Sequence, residues 1–369
     1  MADEKKRILK LVESGKLSVD EAIALMEMAD NEESKKEKDI WQGDFEESKF
    51  QEKKKETASS FNFQTAKGKI FDFVDSTIKK VKEVDLDLNF GHYEEVFHIF
   101  QYTDIIPETI DIDIPNGDVE LIPWENQEIR IECKAKVYRV DSLEDAKRVF
   151  LKEVDVTADK ERLEVKVHHK WMKLQTTIYV PTEEYKVTKI RLFNGPIKSN
   201  NLHSDQIYAK TANGKIHLTA IQSKKLEVDA ANGSIEVEKS SATAMDAETI
   251  NGAVHVDGYF ERVDLQSFNG DIICTNHSED CEYIELKGTT GNMDVNVMEN
   301  LAINGNLKTN FGGFNVELEG IQIIEEKKDV LQKTLQFQSI QSKEKRTSID
   351  ANTKTGTIKI KKIGNQEVS

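Results

Sequence analysis

Five acidic residues, Glu227, Asp229, Asp246, Glu248 and Asp264, recur at matched steps along one stretch of this chain. Carboxylates gathered in this way could supply the oxygen ligands of Ca²⁺. They could equally provide the acid and base of a glycan-cleaving enzyme. Lys210, Gln266 and Lys287 interrupt the series, and the Gly-Gly-x-Gly-x-Asp nonapeptide of calcium-binding β-rolls is absent. A solvated charged face is therefore the expectation for these acids. The remaining candidates are His217 with His255, the pair His168-His169, and the cysteines Cys133, Cys274 and Cys281. No Walker loop, Gly-x-Gly-x-x-Gly or Cys-x-x-Cys accompanies them.

The elements that would position these side chains follow a repeat. Asn194-Gly195, Asn213-Gly214, Asn232-Gly233, Asn251-Gly252 and Asn269-Gly270 stand 19, 19, 19 and 18 residues apart. Six residues before the Asn come Ile207, Leu226, Met245 and Val263, and four before come Ala209, Val228, Ala247 and Leu265. Two before stand the small residues Thr211, Ala230, Thr249 and Ser267. Three after come Ile216, Ile235, Val254 and Ile272, and five after come Leu218, Val237, Val256 and Cys274. Each unit thus holds two short strands of period 2 around an Asn-Gly corner. Asn-Gly could close a type I′ hairpin or turn the corner of a parallel solenoid whose coils stack one on the last. Column-by-column likeness favours the solenoid, because equivalent residues then stack about 4.8 Å apart. Weaker coils begin at Gly291, Gly312 and Thr355, and Pro115-Asn116-Gly117 reads as an early, degenerate one.

This stacking bears on the candidate chemistry. His217 and His255 fall in one column two coils apart, about 9.5 Å, whereas ligands to one zinc lie within about 2.1 Å of it. Surface histidines are expected, and His168-His169 alternate faces of a strand. Coils of 18 to 21 residues leave little room for the projecting loops of a glycan-cleaving groove. Cys274 takes an inward phase, as a small core hydrophobe. The expectation is a non-enzyme without cofactor or metal, with a glycan-acting or glycan-binding β-helix protein as a lesser alternative.

Upstream, residues 1–30 read as a helical hairpin. One apolar stripe includes Ile8 and Leu11, Gly15 ends the first helix, and Ser18-Val-Asp-Glu21 forms a capping box. The second stripe includes Ile23 and Leu25. Two helices this short cannot bury both stripes by themselves, so they pack on a partner, a second copy or the body of the chain. Residues 31–65 mix charges of both signs and read as a linker. Over 66–90 an amphipathic helix, 67–84, aligns Ile70, Phe73, Val74 and Ile78, a face that can pack on a neighbouring domain or lie on an anionic membrane. Residues 91–363 form the strand domain, into which Asp141–Leu151 inserts a short helix with an acidic first turn. A net charge of −16 argues against nucleic acid as a partner. The charged N-terminus and three cysteines at unrelated spacings lead to the expectation of a cytoplasmic protein, with the inner face of the membrane as an alternative.

The capped hairpin Gly15-Lys-Leu-Ser-Val-Asp-Glu-Ala22, the charged linker and the Asn-Gly coils resemble the LiaG/YvlB-type bacterial "putative adhesin" family, with a leading SHOCT-like helical module. The resemblance spans almost the whole chain and carries no catalytic residue. It implies a right-handed β-helix and an accessory role in the envelope-stress response of Gram-positive bacteria. The function expected is that of a non-enzymatic interaction scaffold that associates through its N-terminal helices.

Overall fold

A computed structural model describes residues 91–168, 171–329, 331–340 and 346–363. The hairpin, linker and amphipathic helix expected before residue 91 lie outside the described residues, and so does His169.

The chain opens with β1 (Tyr93–Thr103), β2 (Thr109–Trp124), β3 (Glu128–Tyr138) and the helix α1 (Leu143–Glu153). Then come β4 (Val154–Ala158), β5 (Arg162–Val167), β6 (Met172–Pro181), β7 (Glu184–Asn194) and β8 (Ile197–Asn200). The Asn-Gly region holds β9 (His203–Asn213), β10 (Ile216–Thr219), β11 (Gln222–Asn232), β12 (Ile235–Asn251), β13 (Val254–Asn269) and β14 (Ile272–Asn276). It continues with β15 (Tyr283–Thr290), β16 (Met293–Met298), β17 (Ile303–Phe311) and β18 (Phe314–Glu317). The last strands are β19 (Ile321–Lys328), β20 (Lys333–Ser339), β21 (Thr347–Thr355) and β22 (Ile358–Ile363). The protein is mainly β, as its alternating pattern requires.

Two parallel ladders share the inward apolar columns. One joins the segments before each corner: β5, the first half of β2, β7, β9, β11, the later part of β12, the later part of β13, β15, β21 and β17. The other joins the segments after it: β6, the second half of β2, β8, β10, the starts of β12 and β13, β14, β16, β22 and β18. All four apolar columns read from the sequence are buried. At one end β3 and β1 extend β6 in antiparallel fashion, and β4 extends β5. There α1 buries Ala146 and Phe150, and its N-cap Ser142 hydroxyl accepts from the Asp145 amide. At the other end the hairpin β20–β19 continues β17.

The coils do not stack in chain order throughout. Coil 109–124 lies between β5/β6 and β7/β8, and the final coil, β21/β22, is wedged between β15/β16 and β17/β18. Sequential stacking is thus corrected at both ends. The reason is that β20 occupies one edge of β17, so the returning chain takes the other. Leu286, Ala351 and Leu307 then continue one inward column.

The corners show why both residues of the pair are needed. None of the five corner asparagines has positive φ, and of the corner glycines Gly195 and Gly270 have φ of +132° and +156°, whereas Gly214, Gly233 and Gly252 lie outside that region. Glycine is required because the corners stack backbone on backbone: a Cβ on Gly214, Gly233 or Gly252 would sit under 3.0 Å from the carbonyl of the preceding corner glycine. Asparagine is required for its side chain. The Nδ2 groups of Asn194, Asn213, Asn232, Asn251 and Asn269 each donate to the Oδ1 of the preceding Asn, at 2.6, 2.9, 3.0, 2.8 and 2.9 Å, beginning at Asn116. Thr290 closes the series by donating its hydroxyl to Asn269 Oδ1 at 2.8 Å. Asn232→Asp removes one donor and sets a carboxylate against Asn213 Oδ1. We expect a loss of about 1–2 kcal/mol in urea unfolding, while Asn232→Gln, which keeps the amide but not the reach, falls between the two.

Candidate functional site

The outward columns of the first ladder carry the densest polar chemistry. Next to the inward columns, Glu164, Asp111, Lys189, Tyr208, Glu227, Asp246, Asp264, Glu285 and Asp350 follow one another by strand register. The neighbouring column contains Asp113, Arg191, Lys210, Asp229, Glu248, Gln266 and Lys287. The acids singled out from the sequence are therefore stacked as expected, but not all are solvated. Asp229 is 7% exposed, and Lys210 Nζ lies 2.8 Å from its carboxylate and 2.7 Å from that of Glu227. Lys225 reaches the other Glu227 oxygen at 3.0 Å. The solvated-face expectation is corrected at these two positions, because flat parallel strands 4.8 Å apart let neighbouring side chains cover one another.

Electrostatics follow from this packing. Burial works to raise the Glu227 carboxyl, yet Lys210 and Lys225 outweigh it and hold the group down at about 2. Burial likewise opposes charge on Lys210, and Asp229 with Glu227 pushes its amine above the ordinary value. Glu285 behaves in the opposite sense. Burial raises its carboxyl, Lys287 at 2.7 Å counters, and the stacked charges of Asp264 and Asp350 add to the rise. A second buried knot surrounds Asp111, which pairs with Arg162 and, at 3.3 Å, with Arg191. Arg191 also reaches Asp113 at 3.3 Å, and Arg162 reaches Glu164 at 2.9 Å. Sequence reasoning missed Asp111, Arg162, Arg191, Lys225, Glu285 and Asp350. Asp111 meets Arg162 and Arg191 only across coils, and Asp350 joins Glu285 only by strand register. Lys225 and Glu285, by contrast, pair with Glu227 and Lys287 two residues further along one face of a strand, a spacing visible in the sequence.

These arrangements neutralise charge along the wall; they do not converge on an open centre. Among the described residues no group of three or more His, Cys, Asp or Glu is disposed to hold a metal ion. Register places Glu236 between His217 and His255, as the column reading required. His217 faces Glu238 at 3.6 Å, and His168 faces Asp155 at 2.9 Å. Cys133, Cys274 and Cys281 are free and buried. Burial pushes the Cys133 and Cys281 thiols up to about 12. Cys274 is fully enclosed in the core column, as its phase demanded. The hydroxyls two residues before the corner, read from sequence only as small, donate to corner carbonyls: Thr211 to Gly195 at 3.0 Å, Thr249 to Gly233 at 3.1 Å and Ser267 to Gly252 at 2.9 Å. The association candidates Ile8, Leu11, Ile23 and Leu25, and the helix candidates Ile70, Phe73, Val74 and Ile78, lie outside the described residues.

The two ladders span the residues, 107–361, that match the model of the family described as Toastrack DUF4097. The chain belongs to that family. Ahead of the Toastrack region, residues 3–33 match a SHOCT-like domain, in agreement with the resemblance of the capped hairpin. The chain is 47% identical over 365 residues to "Uncharacterized protein YvlB" of Bacillus subtilis (strain 168), covering 98% of this chain and 99% of that protein. Among solved structures, a "putative adhesin" from Bacteroides fragilis NCTC 9343 matches at 14% identity and a TM-score of 0.39, covering 72% of this chain and 97% of its own. One from Parabacteroides distasonis ATCC 8503 matches at 11% and 0.38, covering 73% and 98%.

Proposed function

We propose that this Toastrack protein is a non-enzymatic cytoplasmic scaffold accessory to the cell-envelope stress response, with its N-terminal helices as the associating part. The carrying observation is the match of residues 3–33 to a SHOCT-like domain, over a sequence whose apolar spacing, Ile8 with Leu11 and Ile23 with Leu25, reads as two stripes on helices too short to bury them unaided. Support for a passive strand region comes from the wall chemistry. The amides of the Asn column bond one another, and Lys210 is held between two carboxylates. Polar groups committed to neighbouring coils make a rigid surface rather than a reactive one. We read that region as a single-stranded, right-handed solenoid, in keeping with the handedness of parallel crossovers. The envelope-stress role rests on the family resemblance, and the cytoplasmic placement on the three free thiols, Cys133, Cys274 and Cys281.

Sedimentation of the full chain against Leu11→Asp/Ile23→Asp and against a chain lacking residues 1–30 tests the reading. The expected result is a smaller assembly, or loss of partner capture, in both variants with the thermal melt of the β region unchanged. An unaltered mass and unaltered capture would remove the N-terminal helices as the associating part.

A further inference from the structure

The two ends of the ladders are finished differently. At the N-terminal end α1 seals the interior with Phe150 and Ala146. At the C-terminal end the after-corner ladder stops at β18, while β20 and β19 carry the other ladder two strands further. The inward side chains there, Phe314, Val316 and Ile321, are only partly covered, and Ile323 is 55% exposed. Stacked repeats need a polar terminal unit or a partner over their last face.

β19 is the outermost strand at this end: among the described residues it pairs with β20 alone. A bulge at Ile324, 59% exposed, interrupts it, and the regular run beyond is Glu325-Glu326-Lys327-Lys328. Within the strand Lys327 bridges Glu325 at 2.6 Å and Lys328 bridges Glu326 at 2.5 Å. In a chain of net charge −16, this edge is locally neutral. Its charges also fall in two blocks of opposite sign. A copy laid parallel in register would set like on like, whereas an antiparallel copy can set acid against base. With a two-fold axis through the sheet at Glu326, Glu325 of each copy lies opposite Lys327 of the other, two opposite-charge pairs against the one like pair, Glu326 with Glu326, on the axis. An unrelated strand has no reason to match that order.

We propose that the C-terminal edge strand β19 is a self-association surface, on which a second copy of this chain docks antiparallel, strand to strand, and covers Ile323 and Ile324. Its residues are distinct from the N-terminal association candidates Ile8, Leu11, Ile23 and Leu25. The test uses the full chain, and the same chain carrying Leu11→Asp and Ile23→Asp, so that association at either end is read independently. Sedimentation velocity is run on E325K/E326K, on K327E/K328E, and on the quadruple variant that exchanges the two blocks. Each double variant, all-basic or all-acidic at this edge, should show half the mass of its parent. An equimolar mixture of the two should regain the parental mass, and so should the quadruple variant alone. Unchanged melting of each variant establishes that the exposed charges alone were altered. If the double variants keep the parental mass, or their mixture yields no larger species, β19 is not the contact and the charges serve only to blunt an edge.

Discussion

Gly233→Ala should cost about 3–5 kcal/mol of stability. A methyl group there would meet the carbonyl oxygen and carbon of Gly214, both under 3.0 Å away and both backbone. No rotamer change relieves such an overlap, and the coils on either side are held by corner bonds: the Gly214 amide donates to Asn232 O at 3.0 Å and the Gly233 amide to Asn251 O at 2.9 Å. The strands must separate locally. Urea unfolding gives the magnitude, and hydrogen exchange should show lost protection at those two amides ahead of distant coils. Gly313→Ala is the matched control, since nothing lies within 4 Å of its added methyl; it should stay within about 0.5 kcal/mol of the parent. Equal effects at the two positions would refute the stacked-corner explanation.

Lys210→Met should cost about 3–5 kcal/mol near neutral pH, because it leaves Glu227 and Asp229 buried without their shared cation. The triple change adding Glu227→Gln and Asp229→Asn should recover most of the loss, since apolar or neutral groups in that space carry no unpaired charge. The dependence on pH has a definite sign. Glu227 sits at about 2 in the folded chain against an ordinary 4.5. Its contribution, roughly 3 kcal/mol, is therefore complete above pH 4.5 and lost as pH falls from there toward 2. The Lys210 amine, raised above 10.5, contributes fully below that value and loses its contribution as pH rises through its folded value. The gap between parent and Lys210→Met should thus be widest from about pH 5 to pH 10 and narrow on acidification. A gap that grows below pH 4 would contradict the ion-pair account.

The extent to which the chain announced this structure differs from column to column. Ile207, Leu226, Met245 and Val263 and their companions were placed correctly from spacing alone, as was the inserted helix near 141–151. Period 2 decides which face of a strand is apolar, and a 19-residue step decides which residues share a column. Asn116 could be added to the Asn column for the same reason. The likeness of the first residues to a SHOCT-like module was legible from the capping box and stripes, and the SHOCT-like match covers residues 3–33.

Other features had no signal of that kind. The coil pattern is nearly the same in every unit, so it cannot say which coil lies next to which. Only the competition of β20 and β21 for the two edges of β17 puts Asp350 between Glu285 and Asn306. The Asn-Gly pair fixed the corner in the sequence, but two readings of it, positive φ and close packing, look identical there. Backbone proximity between successive corners selected close packing and turned the asparagines into an amide ladder. The acids were likewise visible while their burial was not: a charge on an outward phase is exposed or enclosed according to what the adjacent strand carries, and Lys210 encloses Glu227 and Asp229. The sequence by itself determined the repeat, its inward columns and its corners, because these depend on periodicity along one chain. Coil order, ion pairing and the unequal finish of the two ends were decided only by the tertiary structure, because each depends on which strand edges and side chains meet across coils.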